Sequence, residues 1–335
     1  MKAVELQKGF GLENLAVVDR PEPKPGIGQV LVKMRAFALN FRDLLLVKGQ
    51  YNPKLKFPFV PLSDGVGEVV ALGEGVTRVK TGTRVAAAFM QSWVSGELTD
   101  AKARSSLGGG PLQGVLAEYV VLDAEGVVEP PAHLTDEEAA TLPCAGVTAW
   151  NAIVCSGRIK AGDSLLVQGT GGVSLFALQF AKLHGARVIA TSSSDDKLTR
   201  ATRLGASDGI NYKTTPDWED KVRALTGEGV DHIIEVGGAG TLGKSLRAIR
   251  TGGHIALIGV LAAGSGVNPI PILMKQVRVQ GIFVGSREMF EAMNRAVALH
   301  QLRPVVDRTF GFAEVRAALQ HMENGAHFGK ICLRI

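Results

Sequence analysis

The chain has 335 residues, 46% of them hydrophobic and 21% charged. That length exceeds one comfortable hydrophobic core, so two domains are expected of an ordinary soluble composition. A net charge of +5, with no dense Lys/Arg block and no basic–aromatic interleaving, argues against nucleic acid as the main partner and suits anionic small ligands such as phosphorylated cofactors.

From the N-terminus, MKAVELQKGFG carries no apolar h-region, and no secretory signal is expected. Residues 1–125 then set short strand-like runs (Val30–Met34, Val66–Leu72, Arg84–Phe89, Ala117–Leu122) among Gly and Pro turns such as Pro21–Gln29. This is β-rich, barrel-like material. Thr135, followed by Asp136, Glu137 and Glu138, reads as a helix N-cap with acids in the first turn. Cys144, Cys155 and Cys332 are too dispersed for a disulfide framework and suggest a reducing, cytoplasmic setting.

The most informative stretch is Ser164–Ser174, SLLVQGTGGVS. An apolar strand runs into Gly169, Gly171 and Gly172 and then directly into a helix. Glycines there let backbone N–H groups approach a dinucleotide pyrophosphate, and the helix dipole favours its charge. Ser174 replaces the third glycine of the fingerprint. Val173, Phe176, Ala177, Phe180 and Ala181 form the helical face expected to pack on a sheet. Ser164–Ala181 is uncharged over a membrane-like length, but its glycines and Gln168 sit at the turn, so a membrane span is not expected. The alternation continues through Arg187–Ala190, a polar helix closing at Gly205, Asp231–Val236 and His254–Val260. Strands separated by helix-length segments predict a doubly wound parallel sheet. VRVQGIFVG is expected as its apolar terminal strand. Helices follow at Arg287–His300 and Glu314–Asn324, with Gly325 as a C′ residue, and KICLRI ends the chain as a strand that must pair.

These residues resemble the medium-chain dehydrogenase/reductase superfamily over nearly the whole chain. The likeness is carried by GIGQVLV (Gly26–Val32), ALNFRDL (Ala38–Leu44), DGVGEV (Asp64–Val69), GVLAEY (Gly114–Tyr119), LPCAGVTAW (Leu142–Trp150), the Gly169–Ser174 turn and GKICL (Gly329–Leu333). It implies an α/β protein with a GroES-like β-barrel catalytic domain (1–125 and 286–335) and a Rossmann dinucleotide-binding domain (126–285). Carried over residue by residue, the family's catalytic zinc ligands fall on Asn40, Ser63 and Cys144, and only the thiol suits that metal. Asp64 takes the place of the family's nearby glutamate, and the four-cysteine structural lobe is missing. A zinc-free enzyme is expected.

An NAD-preferring Rossmann domain carries an acid on the ribose 2′-OH about twenty residues past the first glycine. Ser192 and Ser193 stand there instead, with Lys197 and Arg200 one helical turn apart, so NADP(H) is expected over NAD(H). The resemblance implies that Gly169, Gly171, Gly172 and Val173 form the pyrophosphate turn and that Tyr212 packs beside the adenosine ribose. It places Thr148 at the nicotinamide amide, and Val236, Gly237, Gly259, Val260, Phe283 and Val284 along the cofactor.

Tyr51 resembles the tyrosine that protonates or hydrogen-bonds the substrate oxygen or enolate in zinc-free relatives. Asn40 is the member of its segment expected to face the cofactor, with Arg42 and Asp43 tying that segment down. The Gln91–Gly110 insertion is expected as a mobile wall over the substrate. The resulting expectation is an NAD(P)H-dependent oxidoreductase acting on a small quinone, enone or carbonyl substrate, with Tyr51 and Asn40 catalytic. A zinc-type alcohol dehydrogenase and an NADPH-binding sensor or structural protein are the alternatives. The terminal strand of the sheet predicts a homodimer.

Overall fold

A computed structural model of the chain describes residues 1–261, 264 and 266–335. They group into two units, Met1–Val147 with Gly285–Ile335, and Thr148–Val284. Seven strands come first in chain order: β1 (Lys2–Leu6), β2 (Leu15–Asp19), β3 (Gln29–Ala38), β4 (Asp64–Leu72), β5 (Arg84–Ala87), β6 (Tyr119–Asp123) and β7 (Val127–Val128). The second unit holds β8 (Ser164–Gln168), β9 (Arg187–Ser192), β10 (Asp208–Asn211), β11 (Val230–Glu235), β12 (Ile249–Leu257) and β13 (Arg278–Gly281). The tail adds β14 (Val306–Gly311) and β15 (Lys330–Arg334).

In the first unit, the described residues form a seven-stranded sheet, β14-β15-β3-β4-β5-β7, with β6 also paired to β3. The C-terminal KICLRI run finds its partners here. β15 pairs with β14 in parallel and with β3 antiparallel, setting Cys332 opposite Ala38 and Leu333 opposite Phe37. Ile331, Cys332 and Leu333 are fully buried, so removing the tail would open the core of a sheet begun hundreds of residues earlier. The expected cap at Thr135 is present as a reciprocal capping box. The Thr135 hydroxyl accepts from the Glu138 N–H at 3.2 Å, and the Glu138 carboxylate accepts from the Thr135 N–H at 2.9 Å.

The second unit is a parallel sheet in the order β10-β9-β8-β11-β12-β13. That order reverses direction between β8 and β11, the switch point at which such sheets take ligands. Leu166, Ile189, Ile233 and Ile255 are fully buried, as central strands covered on both faces require. The helix Gly172–Leu183 buries Phe176, Ala177, Phe180 and Ala181 as expected, and Leu175 and Leu178 besides, whereas Val173 of the expected face is only half-buried. Gly205 ends the helix Asp195–Leu204 in the left-handed region at φ 114°, which a side chain would strain. Among the described residues no helix is long and apolar enough to cross a membrane.

Two expectations need correction. The strand read over VRVQGIFVG is only Arg278–Gly281, because Val284 turns the chain at φ 58°, and its residues are mostly exposed. The strand at His254–Val260 starts earlier, at Ile249, and stops at Leu257. The Gln91–Gly110 segment is anchored near its ends, where Gln91, Trp93, Ser106 and Leu107 are buried and the Gln91 amide donates to the carbonyls of Ala88 and Gly126, while residues 95–101 between them are exposed.

Phe180 is fully buried, edge-on to Trp150 at 5.4 Å and stacked on Phe176 at 5.8 Å. Phe180→Ala is expected to cost roughly 3–5 kcal/mol in urea denaturation, through lost burial and the cavity left behind. A loss below about 1 kcal/mol would mean that the helix does not depend on this cluster.

Candidate active site

The sheet of the second unit gathers the expected cofactor residues at one end. Gly169 follows β8, Ser192 ends β9, Val236 follows β11, Gly259 lies just past β12 and Phe283 just past β13. Carboxyl ends of parallel strands at a switch point are where a dinucleotide binds. Gly169 has φ 70°, and a Cβ added at Gly169 or Gly171 meets nothing within 4 Å. Glycine is therefore needed at 169 for its backbone angle, and both positions leave open space over the start of a twelve-residue helix. Ser174, in place of the third glycine, is buried and donates to the Gln168 carbonyl at 2.6 Å, so its hydroxyl tightens the turn. This arrangement fits a dinucleotide pyrophosphate.

Beneath the turn lies a polar hub that the sequence reading missed. The Gln168 amide donates at 2.8 Å to both the Glu235 carboxylate and the Ser245 hydroxyl, joining the ends of β8 and β11. The other Glu235 oxygen accepts from the N–H groups of Gly237 (2.8 Å) and Gly238 (3.0 Å) and from the Thr241 hydroxyl. Gln168 Oε1 accepts from the Val236 N–H at 3.2 Å. A fully buried carboxylate is tolerable only with partners of this kind, and these partners shape the Val236–Gly238 turn. Across that turn, a Cβ on Gly259 would sit 2.3 Å from the Val236 carbonyl oxygen. The available signal was a polar residue ending each of two apolar strands.

Elsewhere in this unit the expected residues scatter in role. Ser192 is buried, and its hydroxyl accepts from the Ser194 N–H at 3.3 Å, while its carbonyl accepts from the Tyr212 N–H at 3.0 Å. Ser193 is half-buried and Tyr212 exposed. Lys197 lies in the first turn of the Asp195–Leu204 helix, where Asp195 is tied to the Asn211 amide at 2.8 Å. Thr148 is buried and Val260 exposed. Val284, a β-branched residue at φ 58°, is held in that strained state by a 2.7 Å hydrogen bond from the Asn151 amide to its carbonyl.

The first unit holds a second cluster, built around the start of the helix Phe41–Val47. Asn40 precedes that helix, and the Asp43 carboxylate accepts from the Asn40 N–H at 2.7 Å. The ammonium of Lys330, on β15, donates to the Leu39 carbonyl and, at 2.6 Å, to Asn40 Oδ1. Ser63 donates to Asp64 at 2.6 Å, and the Cys144 N–H donates to the other Asp64 oxygen at 3.1 Å. Asp43, Ser63 and Asp64 are fully buried and Lys330 nearly so. Burial pushes Asp43 up to about 6 against the pull of Arg42, and raises Asp64 against the pull of Lys330. Burial, reinforced by Asp64, pushes the Cys144 thiol up to about 12, so it stays protonated. Lys330 was visible beforehand only as part of GKICL. Its role emerges from the pairing of β15 with β3.

A zinc ion does not fit this donor set. Asn40 Oδ1 is taken by an ammonium and the Ser63 proton is committed to Asp64, and an amide and a hydroxyl are poor ligands for this metal, which leaves a single thiol. Among the described residues, no group of three or more His, Cys, Asp or Glu side chains is arranged to hold a metal ion.

Tyr51 follows the same helix and is partly exposed. The Arg42 guanidinium lies over its ring at 5.2 Å and over the Phe89 ring at 4.5 Å, and donates to the Leu107 carbonyl at 2.5 Å.

The native pKa of Asp43, about 6 against an ordinary 3.8, has a definite sign. The folded state binds this proton more tightly than the unfolded chain, so Asp43 destabilises above pH 6 and that penalty is relieved as pH falls towards 4. Its size is of order 3 kcal/mol. Asp43→Asn is expected to flatten this part of the stability profile in urea titrations between pH 4 and 7; an unaltered profile would show that Asp43 titrates normally.

Comparison with known proteins follows the same lines. Residues 26–132 match the family described as alcohol dehydrogenase GroES-like domain, and residues 172–298 the one described as zinc-binding dehydrogenase. A zinc-type alcohol dehydrogenase-like protein of Schizosaccharomyces pombe is 43% identical over 317 residues, covering 92% of this chain and 91% of the relative. The solved structure of an NAD-dependent alcohol dehydrogenase superposes with a TM-score of 0.91 at 35% identity, covering both chains fully. A mycobacterial protein solved in complex with NADPH gives a TM-score of 0.84 at 28% identity, again over both whole chains. With a GroES-like domain, a Rossmann-type sheet and relatives over its full length, the chain belongs to the medium-chain dehydrogenase/reductase superfamily of oxidoreductases.

Proposed function

We propose that this protein is a metal-independent, NADPH-preferring reductase of an activated double bond, quinone or carbonyl in a small molecule. The observation that carries the reading is the Lys330 ammonium bonded to Asn40 Oδ1, a resident cation among side chains that suit zinc poorly. Gly169, Gly171, Gly172 and Val173 would hold the pyrophosphate, with Val236, Gly237, Gly259, Val260, Phe283 and Val284 along the cofactor and Thr148 at the carboxamide. Ser193 and Lys197, with Ser192 shaping the turn, support the choice of NADPH, since the acids Asp195 and Asp196 belong to the helix start. The bound dihydronicotinamide supplies a hydride. The chain's own contribution is a proton from the Tyr51 hydroxyl, or a hydrogen bond to the oxygen on which charge develops, with Asn40 as a further amide beside it.

The catalytic domain is proposed to comprise residues 1–125 and 286–335, and the dinucleotide-binding domain 126–285. The contacts of residues 126–147 group them with the former. The dispersed cysteines Cys144, Cys155 and Cys332 support a cytoplasmic setting. A homodimer is proposed through β13, which ends its sheet and adjoins the helix Ile270–Met274 with Ile270, Leu273 and Met274 exposed. Leu273→Glu should shift sedimentation from dimer to monomer; a wild-type monomer at micromolar concentration would overturn this.

The deciding experiment titrates purified protein with NADPH and NADH, follows turnover of quinone and enone panels, and assays metal on the same sample. Expected are tighter binding of NADPH, turnover without stoichiometric zinc, and a loss of at least tenfold in kcat for Tyr51→Phe. Stoichiometric zinc with alcohol oxidation would favour the alcohol dehydrogenase instead. Cofactor binding without turnover would favour a sensor.

A further inference from the structure

We propose that Arg42 is a positioning residue for Tyr51, fixing the phenol by stacking against its face. The proposal rests on the reading of Tyr51 as proton donor. Tyr51 is 38% exposed, so burial alone does not orient it. Its ring meets a guanidinium that is itself immobilised on several sides. The Arg42 side chain is only 11% exposed, with its Nε 3.5 Å from the buried Asp43 carboxylate. Its Nη2 is bound to the Leu107 carbonyl, and the face of Phe89 lies 4.5 Å from its Cζ. Nε and Nη1 have no hydrogen-bond partner although they are buried. The guanidinium lies over both the Tyr51 and the Phe89 rings, and cation–π attraction of this kind strengthens with desolvation.

A third wall closes the arrangement. A Cβ added at Gly109 would lie 2.9 Å from Arg42 Nη2 and 3.1 Å from Tyr51 Cε1. The Asn52 amide donates to the Gly109 carbonyl at 3.3 Å, stapling the residue after Tyr51 to that same backbone. Gly109 thus leaves the room in which guanidinium and phenol meet. Arg42 acts on the reaction through Tyr51 and need not touch substrate.

The test combines kinetics with a direct view of the ring. With NADPH and 2-cyclohexenone or 1,4-benzoquinone, Arg42→Met should lower kcat at least tenfold without changing KM for NADPH. In a Tyr51→Phe background the same change should cost less than twofold further. Arg42→Lys should not rescue, because it restores charge without the stacking plane. The chain has three tyrosines, so 3-fluorotyrosine labelling gives three ¹⁹F resonances, with that of Tyr51 identified by its loss in Tyr51→Phe. Arg42→Met should shift or broaden that resonance and leave Tyr119 and Tyr212 unmoved. Should Arg42→Met fail to fold, Gly109→Ala, which crowds the stack without altering charge, should give the same kinetic and ¹⁹F signature. An unmoved Tyr51 resonance, or a loss that persists in full in Tyr51→Phe, overturns the positioning role. A Tyr51→Phe variant of undiminished kcat overturns instead the reading of Tyr51 as donor, while the resonance still reports whether Arg42 holds the ring.

Discussion

Two fully buried carboxylates, Asp43 and Asp64, constrain the first unit more than any other feature. A buried charge without compensation costs several kcal/mol, so each must either find a cation or take up a proton. Lys330 and Arg42 are the cations, and each pulls against the rise that burial imposes on these carboxyls. Much of the local architecture follows. The ammonium must come from β15, so the last strand is drawn against β3 and Leu39. The helix Phe41–Val47 must start where Asp43 can cap Asn40, and the Cys144 N–H must face Asp64. Removing Lys330 alone would strand Asp64, which explains why the C-terminus is part of the site despite its distance in sequence.

The second unit solves a related problem with neutral partners. Glu235 is as deeply buried as Asp64, yet it receives two backbone N–H groups, an amide and two hydroxyls. Those donors are the residues that must be still if a dinucleotide is to lie across the switch point. The turn after β8 and the turn after β11 are thus braced by one carboxylate and one amide, Gln168. Rigidity here has a chemical purpose, because backbone N–H groups recognise phosphate only when they are already oriented.

How much was legible in the sequence depended on whether the determining interaction was local. The Gly169–Gly172 turn, the Thr135 capping box, the Gly205 stop and the alternation of strands and helices all depend on residues a few positions apart, and they can be read directly. Lys330 with Asn40 spans 290 residues and Gln168 with Glu235 spans 67, and no periodicity reports such pairs. The resemblance supplied the positions of Asn40, Ser63 and Cys144 but could not say that Lys330 would donate to Asn40. β13 was read too long for a different reason. Apolar composition continues through Phe283 and Val284, but the chain is left-handed at Val284, whose carbonyl accepts from the Asn151 amide 133 residues earlier.

As the proposed proton donor, Tyr51 illustrates a tension that any such group outside a buried core must resolve. It needs exposure, because its hydroxyl must meet a substrate that arrives from solvent. It also needs a fixed direction, because proton transfer is efficient only over hydrogen-bond distance. Burying the ring would secure direction at the expense of access. A hydrogen bond to the hydroxyl would secure it too, but would occupy the atom that reacts. Stacking on a guanidinium escapes both difficulties, since it grips the π-face and leaves the hydroxyl edge open. The requirement then passes to Arg42, which must itself be immobile, and Phe89, Leu107 and Asp43 surround it from the buried side. The same guanidinium thus partly offsets the buried Asp43 charge and lies over the Tyr51 ring.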